Sequence, residues 1–229
     1  MMQQLVLDMR LGQGPTMANF CAGPNLAAWQ HLQIWLGQSG IGSVRSPVPT
    51  YLWGDNSSGK THLLRAVGAS LAALGQTVGW LDASDPTPGE FDEHWSAVLM
   101  DDVQAFDSGR QHLAFNWFIN AQTHRVAVIA AGRLPPADLP LRDDLRTRLG
   151  WGHVFALHPL DESDRRAVLR ASAQSRGLQL SDEVMAFMLT RFSRDLGSLM
   201  ELLDLMDGYA LQTRRAITIP LIKTMMDNA

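Results

Sequence analysis

The sequence predicts an α/β fold: a parallel sheet covered by helices on both faces, followed by a small helical domain. Short apolar runs alternate with helical patterns between residues 50 and 157, as strands joined by helical crossovers require. The turn GDNSSGKT, Gly54 to Thr61, joins one such run to the helix after it. Beyond residue 160 the pattern is helical only. Three segments are therefore expected: a tail over 1–15, an α/β domain over 16–159 and a helical domain over 160–229.

The elements are expected in this order. Residues 24–38 are helical, with Pro24 in the first turn and Leu26, Trp29, Leu32, Ile34 and Trp35 on one face. Residues 39–49, rich in Gly, Ser and Pro, form a loop. Strands follow over 50–53, 77–81, 97–100, 125–131 and 153–157. Helices fall over 62–74, ending before Gly75, and over 111–122. Residues 82–95 are a loop with room for a short helix. Asp161 starts a helix running to about 176. Ser181 starts another with a capping signature. Further helices cover 196–212 and the stretch from Thr218, with Pro220 in its first turn.

The chain of 229 residues carries 46% hydrophobic and 18% charged residues, ordinary for a protein with a substantial core. Its formal net charge of −4 argues against a general nucleic-acid binder. A single cysteine, Cys21, fits a reducing compartment. No apolar run reaches the roughly 20 residues of a membrane span, and the start lacks the form of a signal peptide. A cytoplasmic protein with no membrane partner is expected. The histidines show no metal-ligand spacing.

Gly54, Asp55, Asn56, Ser57, Ser58, Gly59, Lys60 and Thr61 form a phosphate-cradling loop in the context it needs, between strand and helix. Glycines let backbone N–H groups turn inward on a phosphate, and the helix N-terminus adds positive potential. Lys60 can reach the outer phosphates, and the Thr61 hydroxyl can bind Mg2+. The expected ligand is ADP or ATP. The run AVLM, ending in Asp101 and Asp102, has the form of the companion acidic strand. Asp101 would enter the Mg2+ shell and Asp102 would polarise a water. The alternative is an acidic pair that merely opens a turn.

YLWGDNSSGKTHLL, VLMDDVQAF, RTRLGWG after an RLPP segment, and the helical tail together resemble the AAA+ module of the bacterial replication initiator DnaA. Thr16 to Phe20 and Gly23-Pro24-Asn25-Leu26 also resemble the stretch that in DnaA leads to the adenine pocket. The resemblance covers residues 16–228. It implies an AAA+ sheet domain with a helical lid. The initiator's DNA-binding helix-turn-helix and N-terminal domains find no counterpart here. The short form instead resembles the Hda family, DnaA-related regulators that act with the DNA-loaded sliding clamp and stimulate hydrolysis of DnaA-bound ATP.

That resemblance implies partners. Gln4, Leu5, Leu7 and Met9 are similar to the family's peptide for the DNA polymerase III beta sliding clamp. An extended peptide of this kind offers Gln4 for hydrogen bonds and the apolar side chains for a pocket; each buried apolar side chain contributes about 1.5–3 kcal/mol before ordering costs. The other reading is an ordinary apolar strand. DnaA is the second partner. DNA would be met indirectly, through the clamp and DnaA, and a homo-oligomer is compatible with the resemblance.

Two departures bear on hydrolysis. The family pattern has a polar sensor before Arg133, where this chain has Gly132. It has a sensor arginine where this chain has Gly197, with Arg194 one helical turn away. A γ-phosphate would thus have fewer partners, and the expectation is a nucleotide held as a structural ligand, ADP or another diphosphate, with poor turnover. Arg148 matches the family's arginine finger, which would reach a neighbour's γ-phosphate in trans. Its alternative is a surface ion pair with Asp143 or Asp144. The competing function is a self-sufficient AAA+ ATPase acting as a helicase loader or DNA-remodelling factor. A small-molecule kinase is a weaker alternative.

Overall fold

The computed structural model describes residues 14–37, 45–84, 89–191, 196–213 and 217–227. Its centre is a parallel sheet of β1 (Thr50–Trp53), β2 (Val78–Leu81), β3 (Ala97–Met100), β4 (Ala127–Gly132) and β5 (His153–Ala156), in the order β2-β3-β4-β1-β5. All four pairings are parallel, so the carboxyl ends of the strands lie along one edge. That edge is where α/β sheets of this kind bind ligands.

Alternation along the strands splits the core in two. Tyr51, Val98, Met100, Val128 and Ala130 face one side. They meet Ala114, Trp117, Phe118 and Ala121, one face of α3 (Ser108–His124). Leu52, Ala97, Leu99, Ile129 and Ala131 face the other. There they meet α1 (Leu26–Gly37) and α2 (Lys60–Ala73). β3 and β4 are buried on both faces, which is why their sequences are apolar throughout.

The helix over 24–38 is realised as a 3-10 turn, Gly23–Asn25, leading into α1. Its inward stripe is Ala28, Leu32 and Trp35, whereas Leu26 and Ile34 stand 47% and 65% exposed, contrary to the expected face. α2 begins at Lys60 rather than 62, because the end of the phosphate loop is itself helical. α3 starts at Ser108, earlier than expected, because the Asp107 carboxylate accepts from the Arg110 N–H. The described residues of 82–95 contain no helix. An additional helix, α4 (Asp143–Leu149), occupies a stretch with no expected element.

α5 (Glu162–Ser175), α6 (Asp182–Arg191), α7 (Leu196–Thr213) and α8 (Ile219–Asp227) build a separate cluster around Leu169, Met185, Met188, Leu203 and Ile222. Asp161 caps α5 by accepting from Asp164 N–H. The Ser181 hydroxyl accepts from Val184 N–H at the start of α6. Among the described residues, no helix is long and apolar enough to cross a membrane.

Candidate nucleotide site

β1 ends at Trp53 and the chain turns directly into the loop. Gly54 takes φ +152° and Gly59 φ +97°, both outside the range comfortable for a side chain. A Cβ on Gly54 would strike the Leu157 carbonyl, and one on Gly59 would stand 2.7 Å from the Phe20 ring. Gly54 N–H donates to the Gly132 carbonyl at 3.2 Å, tying the loop to the end of β4. Asp55, Asn56 and Ser57 are exposed at the tip, and Ser57 adopts φ +63°.

Lys60 is only 6% exposed. Its ammonium donates to the carbonyls of Gly54 (2.8 Å) and Asp55 (2.7 Å) and to Ser58 Oγ (3.3 Å). It thus lies inside the concavity of the loop. Burial lowers its pKa, opposed by the nearby carboxylates of Asp102 and Asp101 and assisted by Arg133. A buried ammonium beside a ring of backbone dipoles, at a helix N-terminus, is a donor set suited to phosphate. The close glycine approaches leave the loop the shape of a phosphate cradle, so the residues present fit the group.

β3 brings Asp101 beside this loop, 4% exposed, with the Thr61 hydroxyl close to its carboxylate. Burial raises the Asp101 pKa, against the lowering effects of Thr61 and Lys60. Asp102 is exposed, in the left-handed conformation at φ +48°, and its N–H donates to Asp101 Oδ1 at 3.0 Å. The two acids therefore differ in burial, while the charges of both reach Lys60. Asp101 and Thr61 form the oxygen-rich pair suited to Mg2+, and Asp102 stands exposed beside them.

Three neighbours given no individual role in the sequence reading, Phe20, Asn25 and Gln104, also shape the site. Asn25, 3% exposed, donates to His158 O (2.9 Å) and Ser58 O (3.4 Å) and accepts from His158 N–H (2.8 Å). It joins the phosphate loop to the segment leading into α5. Phe20 lies against Gly59 and 5.4 Å from the His62 ring. Gln104 donates to Asp102 Oδ1 (3.1 Å) and accepts from Arg133 N–H (2.9 Å). Asn25 falls in the Gly23-Pro24-Asn25-Leu26 stretch and Gln104 in VLMDDVQAF, so position within those runs is the signal that marks them.

Gly132 is hemmed in: a Cβ there would run into the Tyr51 hydroxyl and approach Val103 and Gln104 Oε1. The slot of the expected sensor is filled rather than vacant. Gly197 lies in the first turn of α7. Arg194 and the clamp-peptide residues Gln4, Leu5, Leu7 and Met9 lie outside the described residues.

Arg148 is not brought to this loop. It sits on α4, half-buried against α3, donating to Gln122 Oε1 at 2.6 Å. Its guanidinium lies 5.4 Å from the Phe115 ring and 5.9 Å from Phe118. The acids that could have claimed it are paired elsewhere, Asp143 with Arg146 and Asp144 with Arg142. The surface ion-pair alternative for Arg148 therefore does not hold.

A family model described as the Hda lid domain matches residues 161–226. An uncharacterized protein of Haemophilus influenzae is 33% identical over 236 residues, spanning 99% of this chain and 100% of its own length. Domain III of the Thermotoga maritima replication initiation protein DnaA has the same fold, with a TM-score of 0.76 at 21% identity over 93% of this chain and 95% of its own. AMPPCP-bound DnaA from Aquifex aeolicus gives 0.66 at 25% identity, over 90% of this chain and 69% of its own.

Proposed function

Because this chain belongs to the Hda-like, DnaA-related AAA+ proteins, we propose that it is a regulator of replication initiation that promotes hydrolysis of ATP bound to DnaA. The observation that carries this is the state of Arg148, held against α3 by neutral Gln122 and, among the described residues, engaged by no acid. A guanidinium already paired with a carboxylate has little charge left to offer a phosphate. One held by an amide and aromatic faces keeps it. Offered to the γ-phosphate of DnaA-bound ATP, Arg148 stabilises the charge that develops in transfer, an effect worth about 10³–10⁵ in rate.

The protein's own loop has a different task. Residues 54–61 bind an adenine nucleotide, ADP or ATP, with Lys60 on the outer phosphates and Thr61 and Asp101 holding Mg2+. The Mg2+ neutralises phosphate charge. The binding of AMPPCP by the related Aquifex aeolicus initiator supports an adenine nucleotide here. With Gly132 and Gly197 at the sensor positions, retention is favoured over turnover. The nucleotide would brace the α/β domain, 16–159, against the helical lid, 160–229, through the loop that Asn25 already links to His158.

Recruitment is assigned to residues 1–15, with Gln4, Leu5, Leu7 and Met9 entering the pocket of the DNA polymerase III beta sliding clamp. A clamp with several sites raises the effective concentration of a weak peptide. The test follows the ADP:ATP ratio on purified DnaA with DNA-loaded clamp. Conversion to ADP-DnaA should accelerate when this protein is added. An unchanged ratio, together with robust ATP turnover by this protein alone, would favour a self-sufficient ATPase.

A further inference from the structure

We propose that Arg133 reads the terminal phosphate of a nucleoside triphosphate in this chain's own site, supplying the contact that Gly132 cannot make. The proposal rests on the nucleotide-holding reading above. The backbone around Arg133 is pinned residue by residue. Gly132 O accepts from Gly54 N–H in the phosphate loop at 3.2 Å. Arg133 N–H donates to Gln104 Oε1 at 2.9 Å, and Leu134 O accepts from the Tyr51 hydroxyl at 2.8 Å. Gln104 is itself held by Asp102 at 3.1 Å. A side chain leaving such a backbone starts from a fixed origin at the mouth of the cradle.

Its place follows from the end of β4. Ala131 packs on the α2 side of the sheet, and a side chain at 132 would project to the Tyr51 side. Arg133 is the first residue past β4, directly after the carbonyl that accepts from the phosphate loop. The Arg133 charge opposes the protonation of Lys60, in keeping with that placement.

What the guanidinium lacks is a partner. Arg133 is exposed, and among the described residues its side chain makes no hydrogen bond or ion pair. Arg142, Arg146 and Arg148 are all engaged. Two like charges held near one another, Lys60 and Arg133, repel until an anion lies between them. The planar fork of arginine matches phosphate oxygens in two-point fashion. A diphosphate on the Lys60 loop would leave Arg133 without that partner, so the residue discriminates by phosphate number.

The test is equilibrium binding of fluorescent mant-ADP and mant-AMPPNP with Mg2+ to the full chain, in the wild type, Arg133→Ala, Arg133→Lys and Lys60→Ala. Arg133→Ala should weaken the triphosphate analogue by about tenfold, the scale of one charge-assisted hydrogen bond, and leave ADP within about twofold. Arg133→Lys should fall between, keeping the charge and losing the fork. Equal effects on both nucleotides, or none, would overturn the proposal. If Lys60→Ala loses both while Arg133→Ala loses neither, the site stands and the role of Arg133 falls. If the wild type binds neither, the nucleotide reading fails and the proposal with it. Unchanged thermal unfolding of Arg133→Ala is the control for folding, since the side chain is exposed.

Discussion

The Tyr51 hydroxyl fills the volume into which a side chain on Gly132 would project, and it is held there by donating to Leu134 O at 2.8 Å. The two residues lie on neighbouring strands, β1 and β4, two positions apart in register, Tyr51 beside Ala130 and Gly132 beside Trp53. A polar atom thus does stand at the sensor slot, but it comes from a different strand and is turned toward the backbone. Tyr51 is fully buried, and burial raises its pKa well above the ordinary phenol range, so it stays a neutral donor.

Restoring a side chain at 132 should therefore be destabilising. Gly132→Ala is expected to cost about 1–3 kcal/mol by overpacking. The same substitution beside Tyr51→Phe should cost much less, because the obstructing oxygen is gone. Urea unfolding of both single variants and the double variant measures the coupling. Strictly additive effects would show that the hydroxyl is not what excludes a side chain.

Asn25 should be a stability residue with a functional consequence. Replacing it with alanine leaves His158 N–H and its own former carbonyl partners unsatisfied in a buried place. A loss of about 2–3 kcal/mol is expected, read as a lower urea midpoint. Nucleotide affinity should fall in parallel, since Ser58 O is one of the partners. A variant with unchanged stability would place these bonds among the negligible ones.

Asp101 is predicted to trade stability for binding. Burial lifts its pKa above the usual 3.8. A raised carboxylate stabilises the fold below its unfolded pKa, and that contribution is lost as pH rises through the folded value. At neutral pH the ionised, buried group is a liability. Asp101→Asn should raise the nucleotide-free Tm at pH 7 by a few degrees, about 1 kcal/mol corresponding to ~2–4 °C at this size. The gain should shrink toward pH 4. Mg2+-dependent nucleotide affinity should drop by more than about tenfold, the least that losing a charged ligand implies. A lower Tm at pH 7 would reverse the sign of this argument.

Gln122 should matter to Arg148 alone. Gln122→Ala removes the 2.6 Å bond that holds the guanidinium, leaving the charge but not its position. Stimulation of DnaA should weaken by roughly tenfold, the scale of one charge-assisted hydrogen bond, with nucleotide binding by this chain unchanged. Full stimulation would mean that the partner, not Gln122, orients Arg148.

Much of the site was legible because local chemistry and fold agreed. β3 was readable since a strand buried on both faces must be apolar throughout, and its end at Asp101 followed. The loop from Gly54 to Thr61 was readable since its glycines and lysine have few other uses in that context. The helix carrying Arg148 was not. α4 is short and rich in charge, with only Leu145 and Leu149 buried, too little periodicity to see. Leu26 and Ile34 misled because apolar residues on a helix need not face the core. Gln104, Asn25 and Tyr51 act through contacts with residues remote in the chain, which spacing cannot reveal.

The most direct measurement is single-turnover hydrolysis of ATP bound to DnaA, with DNA-loaded clamp, comparing the intact protein, a version lacking residues 1–10 and Arg148→Ala. Stimulation is expected from the intact protein only, with Arg148→Ala still binding the clamp and the rate falling by about 10³ or more. Equal stimulation by Arg148→Ala would contradict it, removing the arginine from the transfer step and with it the reason for assigning this chain to DnaA inactivation.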